Sequence, residues 1–224
     1  MKRETLSERI LPDYTKGEEI FNMVSHIVGG AVGIVALVLC VIFAAIHKDP
    51  YAVVSSAIYG SSMIILYACS SVYHGLSPKL KAKKVFQVID HCSIFILIAG
   101  TYTPICLAGL REFSTPLGWT MFGIVWAAAI IGITLNAIDL KKFKTFSAIC
   151  YLAMGWAIVG AWKALPFMIQ RGGLIFLLLG GIAYTVGAGF YYFLKKKRYM
   201  HSVFHLFVVI GSLLHMFYIL FYIV

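Results

Sequence analysis

Residues 20–46 read IFNMVSHIVGGAVGIVALVLCVIFAAI, twenty-seven positions without one Asp, Glu, Lys or Arg. At 1.5 Å per residue such a helix spans about 40 Å, more than the roughly 30 Å of a bilayer's hydrocarbon core. Six further apolar segments follow, at residues 52–73, 85–107, 117–137, 146–165, 174–194 and 200–222. Asp49-Pro50, Ser77-Pro78, Thr115-Pro116 and Gly172-Gly173 punctuate them. Of the 224 residues, 61% are hydrophobic and only 12% charged, more apolar surface than one soluble core of this size can hide. The expected fold is an all-α integral membrane protein with seven transmembrane helices. Residues 1–19 form a polar cytoplasmic arm with no signal-peptide core, and residues 20–224 form the transmembrane domain.

Basic residues orient the chain. Lys2, Arg3, Arg9 and Lys16 precede the first segment. Lys79, Lys81, Lys83 and Lys84 follow the second, Lys141, Lys142 and Lys144 the fourth, and Lys195, Lys196, Lys197 and Arg198 the sixth. Only Lys48, Arg111, Lys163 and Arg171, of 19 Lys and Arg, fall on the other side. The positive side faces the cytoplasm, which puts the N-terminus inside and the C-terminus outside a plasma membrane crossed many times. The formal charge of +10 therefore meets lipid headgroups, and nucleic acid is not an expected partner. Cys40, Cys69, Cys92, Cys106 and Cys150 all lie within segments, without a C-x-x-C pair, and no disulfide is expected.

A few residues do not belong in lipid. Asp90 is the only acid clearly inside a segment, and intramembrane carboxylates are costly and functional. His74, Asp90, His201 and His205 each lie within roughly 10 Å of the cytoplasmic end of their segment. His201 and His205 are four apart and share a helix face, an arrangement that offers two imidazoles to one metal. Ser70 and His74 have the same spacing. Three imidazoles with an open position suit a catalytic zinc. Asp90 could then hold a water or act as base, and Ser70 could orient a ligand or donate to an oxyanion. Each residue alone has a plainer reading. His74 could be an interfacial histidine, Asp90 could neutralise a nearby lysine, and Ser70 could bond a carbonyl one turn back. His91 points about 100° away from Asp90, which favours packing over ligation. His26 either lines the same cavity or makes a helix contact. His215, roughly 15 Å beyond His205, cannot share its metal, and His47 is a loop residue. His201 and His215 raise a haem alternative, but no other segment carries a matching pair.

The segments Ser70-Ser-Val-Tyr-His74, Asp90-His-Cys-Ser and His201-Ser-Val-Phe-His205-Leu-Phe resemble the hemolysin III family. That family is the bacterial branch of the progestin and adipoQ receptors, which are distantly similar to the alkaline ceramidases. Glu19, Asn22, His26 and Ala99-Gly-Thr-Tyr-Thr-Pro104 share the resemblance, which covers essentially the whole chain. It implies seven helices with the N-terminus inside. It also implies zinc held by His74, His201 and His205, with Asp90 reaching it directly or through water and Ser70 beside it. The receptors' long N-terminal domain has no counterpart, so binding of a protein hormone is not implied. The function expected is zinc-dependent hydrolysis of an acyl lipid, on the pattern of ceramidase amide cleavage. The alternatives are a non-enzymatic sensor of membrane lipid state with structural zinc, and the pore-forming cytolysis that the family name suggests. A rhodopsin-like receptor fits badly, since the last segment has no lysine. Membrane lipids are the expected partners. The sequence leaves open whether the chain is an enzyme, and its oligomeric state.

Overall fold

The computed structural model describes residues 6, 8–47, 49–170, 172–194 and 197–224, with the side chain at position 170 left out. Lys2, Arg3, Lys48, Arg171, Lys195 and Lys196 of the charge count lie outside these described residues. Among the described residues no strand occurs, and six helices are long and apolar enough to cross a membrane. Helix α1, Lys16–Ile46, begins four residues earlier than the apolar run suggests. Thr15 and Glu18 form a reciprocal capping box: Glu18 N–H donates to Thr15 Oγ1 at 3.2 Å, and Thr15 N–H donates to Glu18 Oε2 at 2.8 Å. The box draws Glu18 and Glu19 out of the expected arm and into the helix. Helix α2, Pro50–Gly75, is capped by Asp49, whose carboxylate accepts from Tyr51 N–H at 2.9 Å. Helix α3, Lys81–Pro104, continues through a π-helical turn, Ile105–Leu110, and a last turn, Arg111–Phe113. Pro104 has no N–H to give, and the helix widens just after it.

Helix α4, Thr115–Gly155, would be about 60 Å long if it were straight. It folds back instead. Asp139 adopts extended backbone angles (φ −158°, ψ 93°). Ser147 Oγ donates to Asn136 Oδ1 at 2.6 Å, and Asn136 Nδ2 donates to the Tyr151 hydroxyl at 3.2 Å. Residues 136 and 151 would stand about 22 Å apart along a straight helix. The expected loop between the fourth and fifth segments therefore shrinks to a turn at Asp139, whose Oδ1 caps the second arm by accepting from Lys142 N–H at 2.9 Å. Both arms lie on α3: Cys92 Sγ reaches Ile133 O at 3.7 Å, and the Tyr151 hydroxyl donates to His91 O at 2.7 Å.

The expected fifth helix, 146–165, is also interrupted. The second arm stops at Gly155, a 3-10 stretch spans Ala157–Ala164, and helix α5, Leu165–Gln170, follows. The Tyr102 hydroxyl bridges the break, donating to Gly155 O at 2.8 Å and accepting from Ile158 N–H at 2.9 Å. It satisfies backbone groups that the break would strand. Gly172 and Gly173, at φ 81° and 71°, turn the chain into helix α6, Leu174–Phe193, and helix α7, Met200–Tyr222, completes the fold.

Helix α3 and the turns that continue it to Phe113 form the axis, with 83% of the apolar stretch buried. The outer faces carry Ile34, Ile130, Ile131 and Phe221, each more than half exposed, as a lipid-facing surface would. Close approach of α1 and α2 depends on Gly60, where a Cβ would sit 2.5 Å from the Leu37 backbone. Gly189 makes no such approach, since an added Cβ there would meet nothing within 4 Å. The five cysteines are free.

Candidate metal centre

The centre forms where the first turn of α1, the last turn of α2 and the first turns of α7 meet. Tyr199 caps α7 in a left-handed conformation, φ 60°, that costs a non-glycine residue about 1–3 kcal/mol. Its N–H donates to Glu18 Oε1 at 2.7 Å, and Arg198 Nη1 donates to Glu18 Oε2 at 3.3 Å. The same carboxylate that caps α1 thus fixes the start of α7. One turn on, His201 and His205 stand on one face with their Nε2 atoms 3.0 Å apart. His74 faces them from α2. The donor atoms of His74, His201 and His205 all lie within 4.8 Å of one another.

Glu19 orients the His74 ring. Its Nδ1 lies 2.6 Å from Glu19 Oε2. An ionised carboxylate can only accept, so Nδ1 carries a proton and Nε2 is the nitrogen left to ligate. That Nε2 is buried without a hydrogen-bond partner. A carboxylate behind a histidine whose other nitrogen is free is the support that metal-ligating imidazoles use. Tetrahedral zinc needs nitrogens about 3.3 Å apart; the His201 and His205 Nε2 atoms are 3.0 Å apart and all three donors lie within 4.8 Å, so the cluster could hold a metal ion. The other Glu19 oxygen accepts from Lys83 Nζ at 2.7 Å, and Lys83 donates again to Leu76 O at 2.9 Å. Lys83, expected among the headgroup-facing loop charges, is instead buried, because its ammonium reaches this carboxylate.

Aromatic rings close the site. His26 stacks on His205 at 3.7 Å between centroids and meets Tyr67 edge-on at 5.0 Å, so it packs against a candidate ligand. Tyr14 stacks on His201 at 5.0 Å and 13°. Burial raises the Tyr14 phenol well above its ordinary range, helped by Tyr191, Tyr73, Asp90 and Glu19 nearby, and it stays a neutral hydroxyl. Asp90 is not among the three clustered donors. It is largely buried, with Oδ2 3.8 Å from His91 Nδ1. Ser70 is buried and its hydroxyl has no hydrogen-bond partner. Ser62, Ser93, Thr101 and Thr103 each bond a carbonyl three or four residues back, and Ser70 does not take that option. His91 Nδ1 is spent on Gln87 O at 2.8 Å, and His215 Nε2 donates to Leu177 O at 3.1 Å, far along α7.

A family model described as Haemolysin-III related matches residues 14–216. The chain belongs to that family. Among relatives, "Hemolysin-3" of Bacillus cereus is 41% identical over 206 residues, 92% of each chain. "Hemolysin-3 homolog" of Bacillus subtilis (strain 168) is 41% identical over 209 residues, 93% of this chain and 96% of that one. "Heptahelical transmembrane protein 3" of Arabidopsis thaliana is 31% identical over 166 residues, 66% of this chain and 48% of that one. The hemolysin III resemblance is borne out at family level, and the chain is a multi-pass membrane protein. The matched span opens at Tyr14, the ring stacked on His201, and takes in every residue of the imidazole cluster.

Sequence reasoning placed the three histidines of this hemolysin III chain but missed Tyr14 and Lys83, and gave Glu19 no role. One signal was available. Thr15-Lys-Gly-Glu18 ahead of an apolar run is a capping-box pattern, and it would have moved the helix start and Glu19 with it. Nothing in sequence distinguishes Lys83 from Lys79, Lys81 and Lys84.

Proposed function

We propose that this hemolysin III protein is an intramembrane zinc-dependent hydrolase of an acyl lipid. The observation that carries the reading is the convergence of buried His74 and His205 with half-buried His201, and Ser70, one turn before His74 on α2, has a buried hydroxyl without a partner. Zinc held by those imidazoles would polarise a carbonyl and lower the pKa of a water toward about 7. Glu19 keeps His74 in the tautomer that presents Nε2. Asp90 would act as the base that accepts a proton, and Ser70 would donate a hydrogen bond to an oxygen that becomes anionic. Tyr14 stacks on one face of His201 and holds that ring in place. A site placed at headgroup depth favours a lipid substrate, and the distant similarity to alkaline ceramidases favours an amide. We further propose seven crossings of the plasma membrane with the N-terminus in the cytoplasm. Two observations support this: the chain reverses at Asp139 within the apolar run Thr115–Ile169, and a relative bears the name heptahelical.

The test is Asp90→Asn in purified protein, assayed on a panel of acyl amides and esters. The variant should keep its metal and lose turnover. Equal turnover in the variant, or no product from the wild type on any lipid, would overturn the reading. The same three donors tie α2 to α7, which supports a second, non-enzymatic reading in which zinc is a clamp for a lipid sensor. Chelation lowers thermal stability under both readings, and only a lipid product separates them.

A further inference from the structure

Two side chains beside the imidazole cluster hold polar atoms that the hydrolytic chemistry leaves unused. Asn22 is fully buried, and its Oδ1 has no hydrogen-bond partner. His26 is 3% exposed, and neither of its ring nitrogens has one. The two residues are four apart on the buried face of α1, so they stand one above the other. Both touch candidate ligands. Asn22 Nδ2 lies 3.5 Å from His74 Nδ1, and the His26 ring stacks on His205. Nearby hydroxyls do find partners: Ser25 Oγ donates to Asn22 O at 3.0 Å, and the Tyr67 hydroxyl donates to Ser212 Oγ at 2.7 Å. An unpaired buried donor or acceptor weakens a fold, and an apolar side chain of the same size would avoid that penalty. Inside a membrane such groups mark function.

The atoms on offer select the kind of group they would bind. A neutral imidazole presents one N–H and one lone pair, and the Asn22 carbonyl oxygen only accepts. A carboxylate only accepts and an ammonium only donates, so neither answers both side chains. A hydroxyl donates and accepts at one oxygen, and it does answer them. The charges closest to the cluster, Glu19 and Lys83, are committed to each other and to His74. Depth then decides which part of a lipid carries the hydroxyl. Asn22 is level with His74, and His26 lies one turn, about 6 Å, further from the basic end of the bundle. A lipid whose headgroup stays at the basic end and whose carbonyl meets the imidazoles sends its acyl chain toward His26.

We propose that His26 and Asn22 bind a hydroxyl on the acyl chain itself, close to the carbonyl, so that hydroxyacyl lipids are preferred to plain acyl lipids. The proposal rests on the reading of the imidazole cluster as a site for an acyl carbonyl. The probes are myristate, β-hydroxymyristate and ω-hydroxymyristate, free acids that the protein cannot cleave. Each is titrated into the full-length protein in phosphatidylcholine nanodiscs, and binding is read by native mass spectrometry. β-Hydroxymyristate should bind about tenfold more tightly than myristate, because a site built to pair a hydroxyl rejects the analogue that lacks it. ω-Hydroxymyristate, with its hydroxyl at the far end of the chain, should bind no better than myristate. His26→Phe keeps a flat ring against His205 and should bring the preference for the β-hydroxy acid close to nothing. Asn22→Leu should reduce it severalfold and carries the same test if the first variant does not fold. Tyr184→Phe, which removes a buried hydroxyl elsewhere, should leave the preference intact. Equal binding of β-hydroxymyristate and myristate would assign the partner of His26 to a buried water and overturn the proposal. A preference kept in full by His26→Phe, or shared by ω-hydroxymyristate, would overturn it as well. Equal binding would leave hydrolysis of plain acyl lipids untouched, and a wild type that cleaves no lipid would leave these ratios as measured, so the two claims fail separately.

Discussion

Glu19→Gln should damage the protein in two separable ways. The carboxylate accepts from His74 Nδ1 at 2.6 Å and from Lys83 Nζ at 2.7 Å. An amide has one acceptor oxygen for these two donors, and its NH2 group would face the other donor. Lys83, with its side chain 2% exposed, would keep only the Leu76 and His74 carbonyls for its charge. Breaking a buried ion pair costs about 3–5 kcal/mol, and the 15% exposure of Glu19 points to the lower end, about 3 kcal/mol. Losing the support of a ligating histidine costs about 10–100-fold in metal affinity. Adding Lys83→Met removes the stranded charge. Glu19→Gln/Lys83→Met should therefore recover most of the stability and none of the affinity. Unfolding in detergent reads the first quantity, and zinc competition with a chromogenic chelator reads the second. Wild-type zinc affinity in Glu19→Gln, or a double variant no more stable than the single one, would refute the reasoning.

Other outcomes follow from the same geometry. Asn136→Leu leaves Ser147 without its buried acceptor and should cost about 1–3 kcal/mol, read as a lower unfolding midpoint. Ser70→Ala should change stability by less than about 0.5 kcal/mol, because the hydroxyl bonds to nothing, while turnover on a cleaved lipid falls by about 10²–10³. Tyr14→Ala uncovers His201, and a chelator should strip metal severalfold faster; an unchanged rate would show that the ring does not roof the site. Reporter domains fused at Met1 and at Val224 should lie on opposite sides of the membrane, and an equal signal from both would remove the odd number of crossings.

The spans were legible in the sequence because lipid allows no substitute for some twenty consecutive apolar residues. Residues 20–46 could be nothing else. The histidine pair on α7 was legible because a spacing of four fixes a shared helix face regardless of what surrounds it. What surrounds it was not. Glu19 was read as part of a polar arm, and its role depends on Lys83, sixty-four positions away in the chain. Tyr14 stacks on a residue of the last helix, a contact that no local pattern encodes. The Asp139 reversal was expected as a loop of ordinary length, since Lys141, Lys142 and Lys144 read as loop charge. The carboxylate cap on Lys142 N–H lets the helix restart at once. The break after Gly155 is closed by the Tyr102 hydroxyl, 53 residues before Gly155.

Metal content of the purified protein tests the central claim most directly. Elemental analysis of the wild type should find about one zinc per chain, and His74→Ala, His201→Ala and His205→Ala should each lose it. His215→Ala, a buried histidine elsewhere on α7, should retain it. A wild type that carries no stoichiometric metal after growth with zinc, or three ligand variants that all keep it, would contradict the assignment of these imidazoles to one cation.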